Sequence, residues 1–330
     1  MPPKLPLANL PTPLMHFPEL DKLVGAEVWV KRDDMSGGAE TGNKIRKLEY
    51  LLAAARQQGA TAVLTCGGAQ SNHARATAVL ARRLGMSCTL VLRQTAENPS
   101  AATGNLFLSQ LAGAYIEVVS EQVYATERNA VMAELATKLT GSGECPYIIP
   151  EGGSNGLGTL GYVDAVGELA TQLTQQSGAP QHFAALVTAC GSGGTAAGLQ
   201  LGLRRHPIAA AVWAMAVCDD QAFFDKRIAE LVQAGSEHRP DLSELTGPAC
   251  QVWDDCRGPA YGVASPEQHS FIVEVARATG LVLDPSYTGK ALYGLAQHAQ
   301  QASGPVCFIH TGGLPGLLAQ PDVLDAALQA

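Results

Sequence analysis

The segment ETGNKIRKLEY, at positions 40–50, places three cations within four positions at the start of a predicted helix. At 100° per residue, Lys44 aligns with the apolar stripe that should face the core, whereas Arg46 points to the opposite side and Lys47 lies near the edge. We interpret Arg46 as part of a solvated helix face, and Lys47 as sharing that face or pairing locally. An ammonium on an apolar face in the first helical turn is poorly solvated, so Lys44 should have a lowered pKa and a nucleophilic amine.

A glycine-rich loop, CGSGGTAAG at 190–198, follows an apolar strand and opens a helix. Its free backbone N–H groups would form an anion cradle that the helix dipole strengthens. Gly191, Gly193 and Ala196 also satisfy the G-x-G-x-x-G/A dinucleotide pattern, with Asp219 and Asp220 ending the next strand. A nicotinamide-dependent oxidoreductase is therefore an alternative, and a tight turn without any ligand is another.

A second loop, CGGAQSNHARATA at 66–78, again runs from a strand through glycines to a helix start. Ser71 or Asn72 there would serve as a helix cap. Alternatively, the N–H groups and the Ser71 hydroxyl would bind a substrate carboxylate. A dinucleotide site does not explain this second cradle.

Several hydroxyl side chains lie at further strand-to-helix junctions and loops. Tyr287 and Thr288 occur in LVLDPSYTGKA (281–291), Tyr261 occurs in GPAYGV (258–263), and Thr311 ends the last predicted strand. Each alone is more often packing or turn chemistry than catalysis. Together with the Lys44 amine and the two cradles, they form a set suited to pyridoxal phosphate and an amino acid.

The composition limits the classes of function. The chain has 330 residues, 46% of them hydrophobic and 16% charged, and a net charge of −8, which argues against a nucleic-acid partner. The apolar stretch at 208–218 is too short to cross a bilayer, and the proline-punctuated N-terminus shows no secretory signal. The eight cysteines form no CxxC pair, so we expect reduced core thiols in a cytoplasmic protein, without a metal site or a disulfide framework.

The elements alternate between strand and helix patterns, which predicts parallel sheets covered by helices. The predicted strands are 27–33, 61–66, 87–92, 114–119, 146–150, 183–190, 212–218 and 306–311. The predicted helices are 43–58, 72–84, 103–111, 122–139, 159–176, 195–205, 220–234, 266–279 and 288–303. In such sheets, ligands gather in loops beyond the carboxyl ends of the strands, so the motifs above are well placed for binding.

These motifs resemble the D-cysteine desulfhydrase and 1-aminocyclopropane-1-carboxylate deaminase family of fold-type II pyridoxal-phosphate enzymes. The resemblance runs from PTPL (11–14) through KRDD (31–34), GNKIRKLE, GGAQSNHAR, IIPEGGSNGLGTLGY (148–162) and CGSGGTAAG to FIHTGG, and covers nearly the whole chain. It implies an α/β protein with two domains, each a mostly parallel twisted sheet flanked by helices. The large, cofactor-binding domain would comprise residues 1–47 plus 158–330, and the small domain residues 48–157. The resemblance also implies a homodimer.

The resemblance assigns the site residues one by one. Lys44 would hold pyridoxal phosphate as a Schiff base, Asn72 would contact the phenolic oxygen of the cofactor, and Thr311 its pyridine nitrogen. Tyr287 would lie against the ring. The phosphate would be held by the loop residues Gly191, Ser192, Gly193, Gly194 and Thr195.

The same comparison implies the residues that contact an amino-acid substrate. Ser71, with its neighbours Asn72 and His73, would receive the carboxylate, and Tyr261 and Thr288 would line the substrate pocket. The predicted catalytic residues are Lys44, Tyr287, Tyr261 and Ser71. His73 is kept outside the catalytic set, because a histidine at a helix start is more often a structural hydrogen-bonding residue.

Two positions separate the branches of the family. The deaminase branch typically has Glu directly after the tyrosine that matches Tyr287, and Leu in place of Thr311; this chain has Thr288 and Thr311, the desulfhydrase pattern. A hydroxyl leaves the pyridine nitrogen largely unprotonated, so the ring is a weaker electron sink than one paired with a carboxylate. Such a ring can support β-elimination of a good leaving group, which needs less carbanion stabilisation than the opening of a cyclopropane. Thr41, where the family usually has glycine, is a departure that puts the substrate in question.

We therefore predict a β-elimination lyase that converts D-cysteine and water to pyruvate, hydrogen sulfide and ammonia. Within the same class, the alternatives are 1-aminocyclopropane-1-carboxylate, L-cysteate and other β-substituted alanines such as 3-chloro-D-alanine. Outside the class, the alternatives are the NAD-dependent oxidoreductase and a catalytically silent pyridoxal-phosphate carrier.

Overall fold

The computed structural model describes residues 2–93 and 102–329, which form an α/β structure with two sheets. The strands are β1 Leu14–His16, β2 Val28–Lys31, β3 Ala62–Gly68, β4 Ser87–Arg93, β5 Tyr115–Val119, β6 Pro146–Ile148, β7 Ala185–Cys190, β8 Val212–Ala216, β9 Cys250–Trp253 and β10 Val306–Ile309. The helices are α1 Pro18–Val24, α2 Lys44–Gln57, α3 Asn72–Arg83, α4 Gly104–Leu111, α5 Glu121–Gly141, α6 Gly156–Gln175, α7 Gly194–Arg205, α8 Gln221–His238, α9 Pro240–Ser243, α10 Pro266–Thr279, α11 Thr288–His298, α12 Leu314–Leu318 and α13 Asp325–Gln329.

The larger sheet has six strands in the order β1-β2-β10-β7-β8-β9. Only the edge pair β1–β2 is antiparallel; the other neighbours are parallel, with Phe308 of β10 opposite Val30 of β2 and Val187 of β7. Its central strands are buried on both faces, as parallel strands covered by helices should be. One apolar cluster packs α6, α7 and α8 on one face, and a second packs α1, α10 and α11 on the other.

The smaller sheet has four parallel strands in the order β5-β4-β3-β6. Its core joins β3 and β4 to one side of α2 and α3. The two sheets thus draw on the chain segments assigned to the two predicted domains, whose boundaries stay a prediction.

All eight predicted strands and nine predicted helices are present, with ends that differ by a few residues. The elements that the sequence patterns did not predict are all seven residues or shorter and carry little periodicity: β1, β9, α1, α9, α12 and α13. The last long helix was predicted too far: α11 ends at His298, and the chain continues as a 3₁₀ turn at Ala299–Gln301.

Helix α2 corrects the interpretation of two cations. Arg46 and Lys47 are 1% and 0% exposed, so neither belongs to a solvated face. The helix packs against α6, α3 and the turn at 151–153 and is therefore buried all round. The approach of α6 is so close that a methyl group at Gly161 would collide with the carbonyl oxygen of Arg46. In that position the helix buries the charges of Arg46, Lys47 and Glu49, and the charge that reaches solvent is that of Arg56 in its last turn.

Two further features bear on the earlier expectations. All eight cysteines carry free thiols, and Cys145 is the exposed one. Within residues 2–93 and 102–329, no helix is both long enough and apolar enough to cross a membrane.

Candidate active site

A cavity lies where the loops after β3, β7 and β10 meet the first turns of α2, α3 and α7. Parallel strands end at a common edge, so residues that are far apart in sequence converge there. The predicted site residues that line it are Lys44, Ser71, Asn72, His73, Gly191, Ser192, Gly193, Thr195, Tyr261, Tyr287 and Thr311. Gly194 and Thr288 do not line the cavity, whereas Asn43, Glu151 and Cys190, which were not predicted, do.

Lys44 is the first residue of α2 and faces the cavity. Burial lowers the pKa of its amine to about 8, because the surrounding protein solvates an ammonium poorly. Among the described residues, no carboxylate lies within ion-pair distance of its Nζ. The preceding residue does not cap the helix: Asn43 donates from its amide to Thr195 Oγ1 at 3.1 Å and so ties α2 to α7.

The loop after β7 has the form of an anion cradle. Gly193 has a φ of 78°, which turns the chain into α7, and the first turn of that 12-residue helix leaves backbone N–H groups free. A side chain has no room at Gly194, since a methyl group there would lie 2.5 Å from Ser154 Oγ and 2.7 Å from Lys47 Nζ. The loop therefore presents backbone, and Lys47 lies directly behind it.

Lys47 adds a cation to this cradle that the sequence analysis missed. Its Nζ donates to Ser154 Oγ at 3.1 Å and to the Gly152 carbonyl at 3.3 Å, and Ser154 Oγ lies 2.8 Å from Ser192 Oγ. Burial, with the charges of Lys44 and Arg227, lowers the pKa of Lys47 well below its usual value. A buried lysine that pairs with no carboxylate in residues 2–93 and 102–329, beside free N–H groups, fits the phosphate of pyridoxal phosphate. The position of Lys47, near the edge of the apolar stripe of α2, did not predict this role.

Asn72 is oriented by two neighbours. Its Oδ1 accepts a hydrogen bond from Asn105 Nδ2 at 3.1 Å and a long one from Arg75 Nη2 at 3.5 Å. The amide NH₂ is thereby turned away from these donors and toward the cavity, where it can serve an acceptor oxygen such as the phenolic oxygen of the cofactor. Arg75 is fully buried and also donates to the Thr41 carbonyl at 3.0 Å, so it fixes the segment in which the chain departs from its family pattern.

Ser71 is the N-cap of α3 and accepts a hydrogen bond from the Ala74 N–H at 3.2 Å. The capping role considered from the sequence is therefore present. The hydroxyl also lines the cavity and keeps its own proton to donate, so capping and carboxylate binding are compatible.

Tyr261 and Tyr287 form a hydroxyl pair on the opposite wall. Their phenol oxygens are 2.5 Å apart, and the rings meet edge to face with centroids 5.9 Å apart. Burial raises the pKa of Tyr261 to about 12 and that of Tyr287 well above its usual value. Both phenols are therefore protonated at neutral pH and able to pass a proton between them.

Thr288 does not reach the cavity. It is fully buried and donates to Asp284 Oδ1 at 2.7 Å, while accepting from the Asp284 N–H. Asp284 also accepts from the Tyr287 N–H at 3.0 Å, so this pair shapes the turn behind the tyrosine. Thr288 therefore supports Tyr287 rather than touching a ligand in the cavity.

Thr311 and His73 lie on the cavity wall with different environments. The Thr311 carbonyl accepts from the Asn43 N–H at 3.1 Å, which brings the end of β10 against the start of α2. His73 Nε2 is 2.9 Å from Thr65 Oγ1, and burial together with Lys44 and Lys47 lowers its pKa well below its usual value. His73 is therefore neutral, in keeping with a structural hydrogen-bonding role.

Asp219 and Asp220 are the acidic residues of the dinucleotide alternative, and the structure uses one of them to cap a helix. Asp220 is the N-cap of α8 and accepts from the Phe223 N–H at 2.8 Å. Away from the cavity, Asp255, Cys256 and His298 hold their ligand atoms within 4.8 Å of one another. The hydrogen bond between His298 Nε2 and Asp255, 2.9 Å long, accounts for this arrangement.

Comparison with known proteins agrees with the chemistry of the cavity. A family profile described as "Pyridoxal-phosphate dependent enzyme" matches residues 5–312. A mitochondrial "Bifunctional D-cysteine desulfhydrase/1-aminocyclopropane-1-carboxylate deaminase" of Arabidopsis thaliana is 40% identical over 98% of this chain and 81% of its own length. A "Putative 1-aminocyclopropane-1-carboxylate deaminase" of Thermotoga maritima is 41% identical over 96% of this chain and 98% of its own.

Solved structures are similar throughout the chain. A structure described as an "ACC deaminase homologue" superposes with a TM-score of 0.86 at 36% identity, covering 98% of this chain and 96% of the other. A fungal L-serine ammonia-lyase from Rhizomucor miehei, with a TM-score of 0.68 at 21% identity over 98% of both chains, shares the fold. The chain therefore belongs to the pyridoxal-phosphate dependent enzymes, within the D-cysteine desulfhydrase and 1-aminocyclopropane-1-carboxylate deaminase family of lyases.

Proposed function

We propose that this enzyme is a β-elimination lyase that converts D-cysteine and water to pyruvate, hydrogen sulfide and ammonia. The observation that carries the proposal is the placement of Lys44, an amine with a pKa of about 8, in one cavity with the hydroxyl pair of Tyr261 and Tyr287. An α-proton acceptor and a proton donor for a departing sulfur are the two groups that this elimination requires.

The polar groups of the cavity divide between cofactor and substrate. The backbone cradle at 191–194, with Lys47 behind it, would hold the phosphate, and the Asn72 amide would hold the phenolic oxygen. When bound, pyridoxal phosphate would supply the electron sink for the bonds of the substrate's α-carbon. The N–H groups at the start of α3 and the Ser71 hydroxyl would fix the substrate carboxylate.

The chain's own groups then move the protons. Lys44 Nζ, lying in the cavity with a lowered pKa, takes the α-proton as a general base. One phenol of the tyrosine pair gives its proton to the sulfur as it leaves the β-carbon, the second phenol shares its own proton across the short O···O contact, and water restores the missing proton to the pair. His73 is assigned no proton transfer, because burial keeps it neutral by lowering its pKa well below the usual value and its Nε2 lies against Thr65.

Thr311 favours D-cysteine over 1-aminocyclopropane-1-carboxylate. A hydroxyl beside the pyridine nitrogen leaves the ring a weaker electron sink than a carboxylate would, and loss of a thiolate demands less carbanion stabilisation than opening a cyclopropane. Thr288 gives less support for this substrate preference than its sequence position suggested, since its hydroxyl donates a hydrogen bond to Asp284. The names of the relatives include both reactions, so 1-aminocyclopropane-1-carboxylate deamination is the second candidate.

The test is a substrate panel followed by keto-acid release. D-cysteine, L-cysteine, L-cysteate, 3-chloro-D-alanine and 1-aminocyclopropane-1-carboxylate are compared by kcat/KM, with Lys44→Ala as the inactive control. Pyruvate from D-cysteine is expected to dominate. Dominant 2-oxobutyrate from the cyclopropane would overturn the argument from Thr311, and a protein that binds pyridoxal phosphate but releases no keto acid would be a carrier.

We also propose that the protein is a cytoplasmic homodimer. Exposed apolar side chains on α4 and α12, which pack together, would suit a subunit contact: Phe107, Leu111, Leu314 and Leu318 are 48–71% exposed. Light scattering coupled to size exclusion measures the mass directly, and Leu111→Glu with Leu318→Glu should shift it toward that of a monomer. An unchanged mass would place any contact elsewhere.

A further inference from the structure

Another buried lysine, outside the cavity, is bound by backbone carbonyls alone. Lys290 on α11 is 1% exposed, and its ammonium donates to three carbonyl oxygens: those of Arg257 at 2.7 Å, Ala260 at 2.8 Å and Val217 at 3.1 Å. An ammonium has three N–H donors, so these three acceptors satisfy its full hydrogen-bonding capacity. Among the described residues, no carboxylate lies within ion-pair distance of its Nζ.

The three carbonyls belong to two parts of the chain that meet at the active site. Val217 follows β8, and its side chain would touch a methyl group at Gly191, where the phosphate cradle begins. Arg257 and Ala260 belong to the loop that leads directly into Tyr261. Lys290 itself lies three positions after Tyr287. Its ammonium therefore joins the loop of one tyrosine to the helix that follows the other.

Besides Lys290, the loop at 257–263 is held by the hydroxyl contact between Tyr261 and Tyr287, by the Arg93 guanidinium 5.2 Å from the Tyr261 ring, and by a local hydrogen bond from the Val263 N–H to the Ala260 carbonyl. Pro259, Ala260 and Val263 are exposed, so few apolar contacts fix it. Gly258, with a φ of 74°, gives the lysine its space: a methyl group there would lie 3.1 Å from both Cε and Nζ of Lys290. The loop backbone is thus shaped around the ammonium.

We propose that Lys290 is the positioning residue of the tyrosine pair, because its ammonium holds the loop at 257–260 on the end of β8 and so keeps the Tyr261 hydroxyl against Tyr287. The expected loss of kcat rests on the proposed function. The expected opening of the loop rests on the hydrogen bonds of Lys290 alone. Since Lys290 does not line the cavity, it acts through Tyr261 and not on a ligand.

Lys31 shows what a buried lysine without such a role looks like. It is 2% exposed and donates to the Thr12 carbonyl and Gln172, but it also pairs with the Glu168 carboxylate at 2.5 Å. Its partners lie in the strand and helix framework, away from the cavity. Lys31→Met is therefore the matched control for Lys290→Met, since each removes one buried ammonium and keeps the side chain unbranched.

The structural half of the proposal is tested by trypsin. Cleavage after Arg257, whose side chain is 42% exposed, requires the loop to open. With three hydrogen bonds to the loop and strand removed, Lys290→Met holoenzyme should be cut there at least about tenfold faster than wild type or Lys31→Met, as followed by mass spectrometry of the fragments. Equal cleavage rates would overturn the tether. This readout needs no turnover, so it stands even if the proposed function fails.

The kinetic half is tested by a double-mutant cycle. Lys290→Met and Tyr261→Phe should each lower kcat per bound cofactor by about tenfold with little change in KM, and the double variant should be no slower than Tyr261→Phe alone. If the two substitutions lowered kcat multiplicatively in the double variant, Lys290 would not act through Tyr261. The same conclusion would follow if trypsin cut Lys290→Met faster than wild type while its kcat stayed at the wild-type value. If wild type releases no keto acid from any substrate, the proposed function fails, and the cleavage rates alone decide whether Lys290 holds the loop.

Discussion

The two sides of helix α2 treat buried positive charge in opposite ways. On one side, Arg46 donates to Asp33 at 2.8 and 2.9 Å and to Glu168 at 3.0 Å, and Tyr162 donates to the same Asp33. On the other, Lys44 and Lys47 face the cavity and its cradle without a carboxylate partner among the described residues.

The pKa values follow this division. Burial works against the charge of Arg46, but Asp33 and Glu168 outweigh it and raise its pKa well above the usual value. For Lys44 and Lys47, burial is not offset, and both pKa values fall. A buried charge that is fully paired belongs to the framework, whereas one left unpaired is available for a ligand, here an aldehyde and a phosphate. The comparison makes predictions of opposite sign for neighbouring residues.

Replacing Lys44 should have the largest effect. Lys44→Ala removes both the covalent attachment of the cofactor and the base, so keto-acid release should fall by at least about 10³-fold. The visible absorbance that is bleached by borohydride in wild type should be absent. Because none of the described residues forms an ion pair with this amine, urea unfolding of the apoprotein should show a stability within about 1 kcal/mol of wild type. A strongly destabilised apoprotein would mean that Lys44 is structural as well.

Replacing Arg46 should act on stability instead. Arg46→Met leaves Asp33, which is fully buried, and Glu168 without their main partner, and breaking a buried pair in this way costs about 3–5 kcal/mol. Urea unfolding of the apoprotein measures the loss. The cofactor affinity of the fraction that remains folded should be unchanged, and an unaltered unfolding midpoint would contradict the framework role.

The contrast between these two residues also shows what the sequence could predict. Strand, glycine loop and helix start are local patterns, so the cavity edge, Lys44, Ser71 and Asn72 followed from them. The helical wheel misled at Arg46 because it assumes one solvated face, and α2 has none. Whether a helix is covered on every side depends on contacts with distant elements such as α6, which periodicity does not encode.

The roles of some polar side chains could not be predicted from the sequence either, because they too depend on contacts with distant residues. Lys47, Arg75 and Lys290 bond to backbone carbonyls or to residues more than 30 positions away, with no spacing rule to reveal the partner. Thr288 differs from these three, since its partner is only four residues earlier. The family pattern placed its hydroxyl in the substrate pocket, but in the structure that hydroxyl donates to Asp284. Motifs locate such residues, but the direction of a side chain decides what they do.

Replacing Lys47 should separate affinity from stability. Lys47→Met removes an uncompensated buried cation, so apoprotein stability should change by no more than about 1 kcal/mol, while the affinity for pyridoxal phosphate falls about 10- to 100-fold with the loss of a charged hydrogen bond. Equilibrium titration of the apoprotein measures the affinity. Pyridoxal without phosphate is the control ligand, and its binding should be the same in both proteins. Equal losses for the two ligands would place Lys47 away from the phosphate.

The smallest expected effect concerns pH and tests whether Lys44 is truly unpaired. With a pKa of about 8, roughly a tenth of its amines are neutral at pH 7, against about 3 in 10⁴ for an ordinary lysine near 10.5. Only the neutral amine attacks the cofactor aldehyde, so stopped-flow capture by the apoprotein should accelerate up to about pH 8 and then level off. Nα-acetyl-lysine, measured alongside, should still be accelerating at pH 9.5. If the protein followed the free amine instead, the charge of Lys44 would be compensated as that of Arg46 is, and the division of α2 into a paired and an unpaired side would not hold.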